Sequence, residues 1–294
     1  MNVRTLSHAL RSGFAVASLC ALQCAYAGQP VLLPDGAVTL VRGKTVVSVD
    51  APFAVEPGDL LATDAHGGAQ IEDDDGTIVA LGADTRLAID AAPHAVALAL
   101  LSGWIKIARI HAAAEPLSIE TAALRVALRE GSAVLHASRD ATSLFIETGS
   151  VTLALPEHAE ARQPFDGERY IERAAGKPLD VHPRAAQSFI AAMPVSFRDP
   201  LAFVAFAKTK PDAPVQGRPA TYADLAGWLT APLDIRRTFV ARFRPLAQGE
   251  PFRTQVRQNL RDLPEWRRVL CPPPAMPRRR AVAPVNAQST EVES

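Results

Sequence analysis

The sequence predicts a mainly β chain of short stacked strands, followed by a small α-helical module. Three observations carry this. From Val31 to about Leu155 apolar residues recur with a period of two, as strands with one buried face require. Turn signals at Gly36, Gly43, Gly58, Gly67, Gly76, Gly103, Gly131 and Gly149 separate them. Beyond His182-Pro183 the apolar spacing becomes that of amphipathic helices. Many short strands without intervening helices fit a sandwich or a short solenoid.

The elements follow in chain order. Arg4 and Arg11 precede an apolar run from Phe14 to Leu22, and Ala25-Tyr26-Ala27 presents small residues for signal peptidase. Residues 1–27 therefore read as a secretory signal peptide cleaved before Gly28. The run is shorter than the ~20 residues that cross a bilayer, and neither Cys20 nor Cys24 follows the Leu-small-small pattern of a lipoprotein signal. After cleavage only Cys271 remains, so no intramolecular disulfide forms. A periplasmic location fits these facts.

The alternating sets are Val96/Leu98/Leu100, Ile105/Ile107, Leu117/Ile119, Leu124/Val126/Leu128, Leu144/Ile146 and Val151/Leu153/Leu155. Thr121 to Glu130 is rich in Ala and Leu and suits a helix equally; Ala112 to Glu115 is helix-prone too. Phe165 to Arg173 closes the β domain as a last strand, giving it bounds of 28–175, and Gly176-Lys177-Pro178 starts a linker. The helical module spans 183–270. Pro183 opens a helix running to about Met193. Asp199-Pro200 caps a second over Leu201 to Ala207, and Lys210 to Ala220 is a proline-rich loop. Thr221 caps a third through Leu229, with Asp224 at the capping-box position. Ile235, Phe239, Val240 and Phe243 share a helix face, and Phe252, Val256, Leu260 and Leu263 repeat that spacing. Trp228 and Trp266 are core anchors of this module. The tail, 271–294, lacks apolar content and is expected to be disordered.

The stretch from Glu56 to Ile89 carries an ordered series of phrases: Gly58-Asp59-Leu60-Leu61-Ala62-Thr63, Gln70-Ile71, Asp75-Gly76-Thr77 and Leu81-Gly82. Leu101-Ser102-Gly103-Trp104 and Glu147-Thr148-Gly149-Ser150-Val151 continue it. Over Val38 to Leu155 this series resembles the FecR domain of bacterial envelope proteins. Where that family has Arg-Gly-Thr, this chain has Arg129-Glu130-Gly131-Ser132. The family's membrane-spanning regulators carry a cytoplasmic sigma-factor-binding region and a transmembrane helix before the domain; this chain has a signal peptide instead. The resemblance implies a periplasmic stack of short strands resembling a β-solenoid, in a stand-alone exported FecR domain-containing protein. It implies structural roles for Gly58, Asp59, Thr63, Asp75, Gly76, Thr77, Leu81, Gly82, Gly103, Trp104 and Gly149.

Charge is balanced overall, with 31 basic and 31 acidic residues, but polarised. Thr45 to Thr85 holds nine acids and no Lys or Arg; Leu233 to Arg280 holds twelve arginines and four acids. Such polarity serves partner binding or intramolecular docking. The run Glu72-Asp73-Asp74-Asp75 offers hard oxygen ligands but lacks an EF-hand's alternating acids and closing Glu, so it reads as a solvated turn. His66, His94, His111, His136, His158 and His182 show no metal-ligand spacing. No nucleophile elbow, phosphate loop or dinucleotide fingerprint occurs. No metal or cofactor is expected, nor is the chain expected to be an enzyme. The better candidates are Arg236, Arg237, Arg242, Arg244, Arg253 and Arg257, whose forked guanidinium groups suit phosphates and carboxylates.

The sequence thus points to a non-catalytic binding or scaffolding module of the cell envelope. Its partner is an envelope protein or an anionic envelope polymer, not nucleic acid, and it is peripheral to the membrane at most. One alternative is a component of a cell-surface signalling pathway, working with an outer-membrane receptor or an inner-membrane sensor. The other is a glycan-active enzyme with an acid pair such as Glu120 and Glu147.

Overall fold

The computed structural model describes residues 29–91, 96–112, 115–204 and 217–271. The expected signal peptide, the tail beyond Cys271, His94 and most of the proline-rich loop lie outside the described residues.

Eight strands come first: β1 (Val31–Asp35), β2 (Val38–Arg42), β3 (Thr45–Val49), β4 (Phe53–Ala54), β5 (Leu60–Thr63), β6 (Gly68–Glu72), β7 (Thr77–Leu81) and β8 (Arg86–Ala91). Longer ones follow: β9 (Val96–Arg109), β10 (Leu117–Glu120), β11 (Arg125–Ala137), β12 (Ala141–Leu155), β13 (His158–Asp166), β14 (Arg169–Ala174) and β15 (Asp180–His182). After α1 (Gln187–Ala192) and β16 (Arg218–Pro219) come α2 (Tyr222–Leu229), α3 (Arg236–Phe243), α4 (Glu250–Gln258) and α5 (Arg267–Leu270).

The pairings sort into two layers that share β9, β11 and β12. The first half of β9 lies beside β8 and β10, while its second half lies beside β7 and the end of β11. Likewise β12 pairs first with β14 and then with β13. One apolar cluster draws on both layers, including Leu40, Leu98, Ile119, Val126 and Leu153 from the first and Leu32, Val79, Ile107, Leu135 and Ile171 from the second. The core therefore lies between them, as in a sandwich.

Glycines mark where the long strands cross from layer to layer. Gly131 and Gly149 are register partners, with φ of 107° and 76°. A Cβ on Gly131 would stand 2.3 Å from the Thr148 carbonyl oxygen, and one on Gly149 would stand 2.3 Å from that of Glu130. Neither the left-handed backbone nor the close approach admits a side chain.

The solenoid expectation is corrected here. A solenoid stacks its coils in parallel, but these strands pair antiparallel; among the described residues only β9–β10 is parallel. The physical reason is the connections: β2 and β3 are joined by Gly43-Lys44 alone, and a two-residue link closes only an antiparallel pair. The main strand path runs from β15 to β16 and does not close on itself.

Both outer faces are covered in part. On the second layer, Phe189 and Met193 of the α1 region and Phe197 pack on Ala80, Val134 and Tyr170. This segment, 183–204, forms a strap. On the first layer, Val41, Val46, Leu60, Ala88 and Ala99 meet the helical module through Leu225, Trp228, Phe239, Phe243, Val256 and Trp266.

Local expectations fared unevenly. Thr221 and Asp224 form the expected capping box on α2, and Trp228 and Trp266 are buried. The ambiguous segment becomes a turn closed by Thr121 Oγ1, which accepts from the Leu124 amide, and then β11. The expected last strand splits into β13 and β14 at a turn where Glu168 has φ 59°. The helix expected from Pro183 forms only over α1. No helix begins at Leu201: the Asp199 carbonyl accepts from Lys106 Nζ, and the Val204 amide donates to Glu72, which holds the segment extended. Among the described residues no helix is long and apolar enough to cross a membrane.

Candidate functional site

The residues of the ordered phrases occupy corners of the sheet. Gly58, at φ 95°, turns the chain into Asp59, whose buried carboxylate accepts two bonds from Arg42, at 3.0 and 2.6 Å, and one from the Glu56 amide. Thr63 Oγ1 donates to the Gly82 carbonyl and accepts from the Thr85 amide; Thr85 Oγ1 in turn accepts from the Trp104 amide. At the next corner Arg109, 5% exposed, reaches Asp75, Thr77 Oγ1 and the carbonyls of Glu115 and Leu128. Gly76 leaves room for His111 beside that corner, and Leu81 is in the core. Gly82 lies under Pro194 of the strap, where an added Cβ would meet Pro194 at 3.0 Å and Trp104 at 3.1 Å. Trp104, one residue past Gly103, stacks on His136 with ring centroids 4.3 Å apart and meets Phe189 at 4.9 Å.

Two buried cations in this region escaped the sequence reading. Lys106, 2% exposed, donates to Glu147 at 2.9 Å and to the carbonyls of Phe197 and Asp199, pinning the strap to β9. Arg109 is the other. Their signal was present: both sit in Ile105-Lys106-Ile107-Ala108-Arg109, cations inside an apolar alternation, where a buried charge demands partners.

The acidic turn is divided between structure and solvent. Burial opposes ionisation of Asp75, but hydrogen bonds from Thr77 and Arg109 outweigh it and hold its carboxyl below the usual range. Burial, together with the Asp75 charge, pushes Asp73 up to about 7. Glu120 and Glu147 do not converge. Their neighbours Ile119 and Ile146 point into the core from different layers, so the two carboxylates face opposite sides of the sandwich. Glu120 accepts from the Asp234 amide, and burial raises its pKa; Glu147 is taken by Lys106 and Ser132. Among the described residues no cluster of three or more His, Cys, Asp or Glu is arranged to hold a metal.

The six candidate arginines separate. Arg242 docks the module on the sheet: it donates to the carbonyls of Val41, Gly43 and Gly58 and lies over the Phe243 ring, and burial lowers its pKa. Arg236 pairs with Glu265 at 2.8 Å, and Arg237 with Asp234 at 3.0 Å. Arg253 is half-buried, whereas Arg244 and Arg257 are exposed. In the acid-rich stretch Glu56 and Asp59 pair with Arg42, and Asp75 pairs with Arg109, both cations of the β unit.

One concave surface remains open on the first layer, beyond the edge of the helical module. Ser118, Ala127 and Thr152 are register neighbours on β10, β11 and β12 and form its floor. Arg125, Glu160 and Arg162 stand around it, enclosing about 540 Å³. Arg125 pairs with Asp234 and so marks where the module ends. Small residues with charged rims suit an extended polymer or peptide.

No curated protein matches the chain. Two crystal structures described as a proposed anti-sigma factor from Parabacteroides distasonis are similar at 18% and 17% identity, each with a TM-score of 0.39. The aligned region covers 45% of this chain and 62% and 63% of theirs, less than two thirds of those proteins. Residues 59–152 match the FecR protein family model, beginning at the Asp59 corner and ending on the groove floor at Thr152. This chain therefore contains a FecR-like domain over residues 59–152.

Proposed function

We propose that this protein is a non-catalytic component of a cell-surface signalling pathway, binding an envelope receptor or sensor through its FecR-like sheet. The observation that carries the proposal is the FecR match over residues 59–152, on a sheet that leaves one groove uncovered while its corner polar groups hold the fold. In this proposal residues 1–27 direct export to the periplasm and are removed before Gly28. The β domain (28–175) supplies the partner surface, and the helical module (183–270) supports it and carries the exposed arginines, with the tail (271–294) beyond. The residues of the ordered phrases act as structural pins.

Site-specific photocross-linking from Thr152, in cells, tests this. The expected products join the protein to an outer-membrane receptor or an inner-membrane sensor. Products limited to structural envelope proteins or polymer would replace signalling by scaffolding. Fractionation with N-terminal sequencing tests the export step, and a mature protein starting at Gly28 is the expected result.

A further inference from the structure

A second recess lies on the helical module itself. Tyr222 opens α2, Phe252 stands in the first turn of α4, and their rings meet edge-on with centroids 6.0 Å apart. Leu246, from the turn before α4, joins Pro219 and Pro251 in completing a largely apolar hollow of about 790 Å³. Tyr222 and Leu246 are only half-buried, so aromatic and aliphatic surface stays open to an occupant. Glu250 lines the same recess and is exposed. Asp262 is close enough to act on it: burial, and then the Asp262 charge, raise the pKa of the Tyr222 hydroxyl. Among the described residues neither carboxylate holds an ion pair, whereas Asp224 is already taken by Arg218 at 2.7 Å.

The chain carries a segment of matching chemistry just beyond the module. Pro272-Pro273-Pro274-Ala275-Met276-Pro277 is followed by Arg278-Arg279-Arg280. Prolines fix φ at about −65° and favour the polyproline II helix, whose three residues per turn put Pro274 and Pro277 on one face. Such segments dock on aromatic-lined hollows at little entropic cost and need no apolar core of their own. The starting point is close. Trp266 and Phe252 have ring centroids 5.9 Å apart, and the buried Leu270 anchors α5. From Trp266 to Cys271 is about 8 Å of helix, and from Cys271 to Pro277 the chain extends about 19 Å in polyproline II form. A tethered ligand also meets its site at millimolar effective concentration, ahead of free competitors. We propose that the recess at Tyr222, Leu246 and Phe252 holds the chain's own proline-rich segment, Pro272 to Pro277, with the following arginines against Glu250 and Asp262. The proposal concerns the module alone and does not depend on the envelope partner.

Cross-linking in the purified full chain tests it. A photoreactive side chain in place of Met276 is expected to join segments 219–223 and 246–255 of the same molecule. A fluorescent peptide of residues 272–281 supplies the second readout. It should bind the full-length variant Pro274→Ala/Pro277→Ala roughly tenfold more tightly than the parent, whose own tail competes for the recess. The peptide carrying the same two alanines should not bind, a result that no folding defect of the protein can mimic. Adding Glu250→Gln to the full-length variant should weaken the native peptide about threefold, with thermal melts verifying the fold. Cross-links to other segments, or cross-linked dimers that seat the tail on a second copy, overturn the proposal. So do equal affinity for parent and variant, equal binding of the alanine peptide, and no peptide binding at all.

Discussion

The β unit and the helical module are both rich in charge, and they use it in opposite ways. In the β unit, Arg42, Lys106, Arg109 and Arg173 are each tied to a carboxylate and at least one backbone carbonyl, and the last three are almost wholly buried. In the module Arg257 of α4 and Arg267 and Arg268 of α5 stand in solvent. The difference follows from strand geometry. A sandwich that turns a corner every few residues leaves carbonyls at the corners without ladder partners, and long cationic side chains satisfy several at once. A helix directs its carbonyls along its axis and its side chains outward, so a cation on the solvent face, such as Arg257, meets no carbonyl and remains in water.

Removing a corner cation is expected to have the largest effect. Arg109→Met leaves the carbonyls of Glu115 and Leu128 and the Asp75 carboxylate without their donor. A loss of about 3–4 kcal/mol in urea unfolding is expected. A loss under ~1 kcal/mol would mean that water replaces the guanidinium, and that the contrast between the regions is one of exposure alone.

Lys106→Met comes next. It frees the strap at Phe197 and Asp199 and leaves Glu147 with Ser132. Because Glu147 keeps some solvent access, at 22% exposed, about 2–3 kcal/mol is expected. The sharper readout is hydrogen exchange, in which amides of residues 195–204 lose protection before those of β9. Uniform loss across both would show that strap and sheet open as one unit.

The sequence made some of this visible and hid the rest for identifiable reasons. Alternation located most of the strands, but not that single strands span both layers. The signal was there: inward residues run Leu98, Leu100 and then Ile105, Ile107, so the phase flips across Gly103. It flips again from Val126/Leu128 to Ala133/Leu135 across Gly131, and from Leu144/Ile146 to Val151/Leu153 across Gly149. An inserted residue beside a left-handed glycine is how a bulge appears in sequence. The solenoid expectation took each phase as a separate strand. The capping box at Thr221 was legible because its partners are three residues apart. The pin at Lys106 was not, because Asp199 is 93 residues away. The groove was equally hidden, since its floor joins three strands and its edge depends on where the module stops.

A smaller effect is expected at the acidic turn. Burial and Asp75 raise the Asp73 carboxyl to about 7 in the fold, against ~4 in the unfolded chain. The native state therefore binds this proton more tightly. The stability associated with it is full below about pH 4 and is lost as pH rises through about 7. Asp73→Asn removes that loss, and solvent screening of this half-buried group limits the gain to about 1 kcal/mol at pH 8. The difference from the parent should vanish below pH 4 in paired thermal melts. A pH-independent difference would place the effect in the turn's hydrogen bonds instead.

The smallest effect sets the other end of the comparison. Arg257 lies on the exposed face of α4, and among the described residues it holds no ion pair. Arg257→Gln keeps helix propensity and removes one charge, so stability should change by less than ~0.5 kcal/mol. A guanidinium that stands in solvent and contributes little to the fold is the reverse of Arg109. If Arg257→Gln instead destabilised the chain by as much as Arg109→Met, the module's arginines would be structural like those of the β unit, and the division of charge between the two regions would collapse.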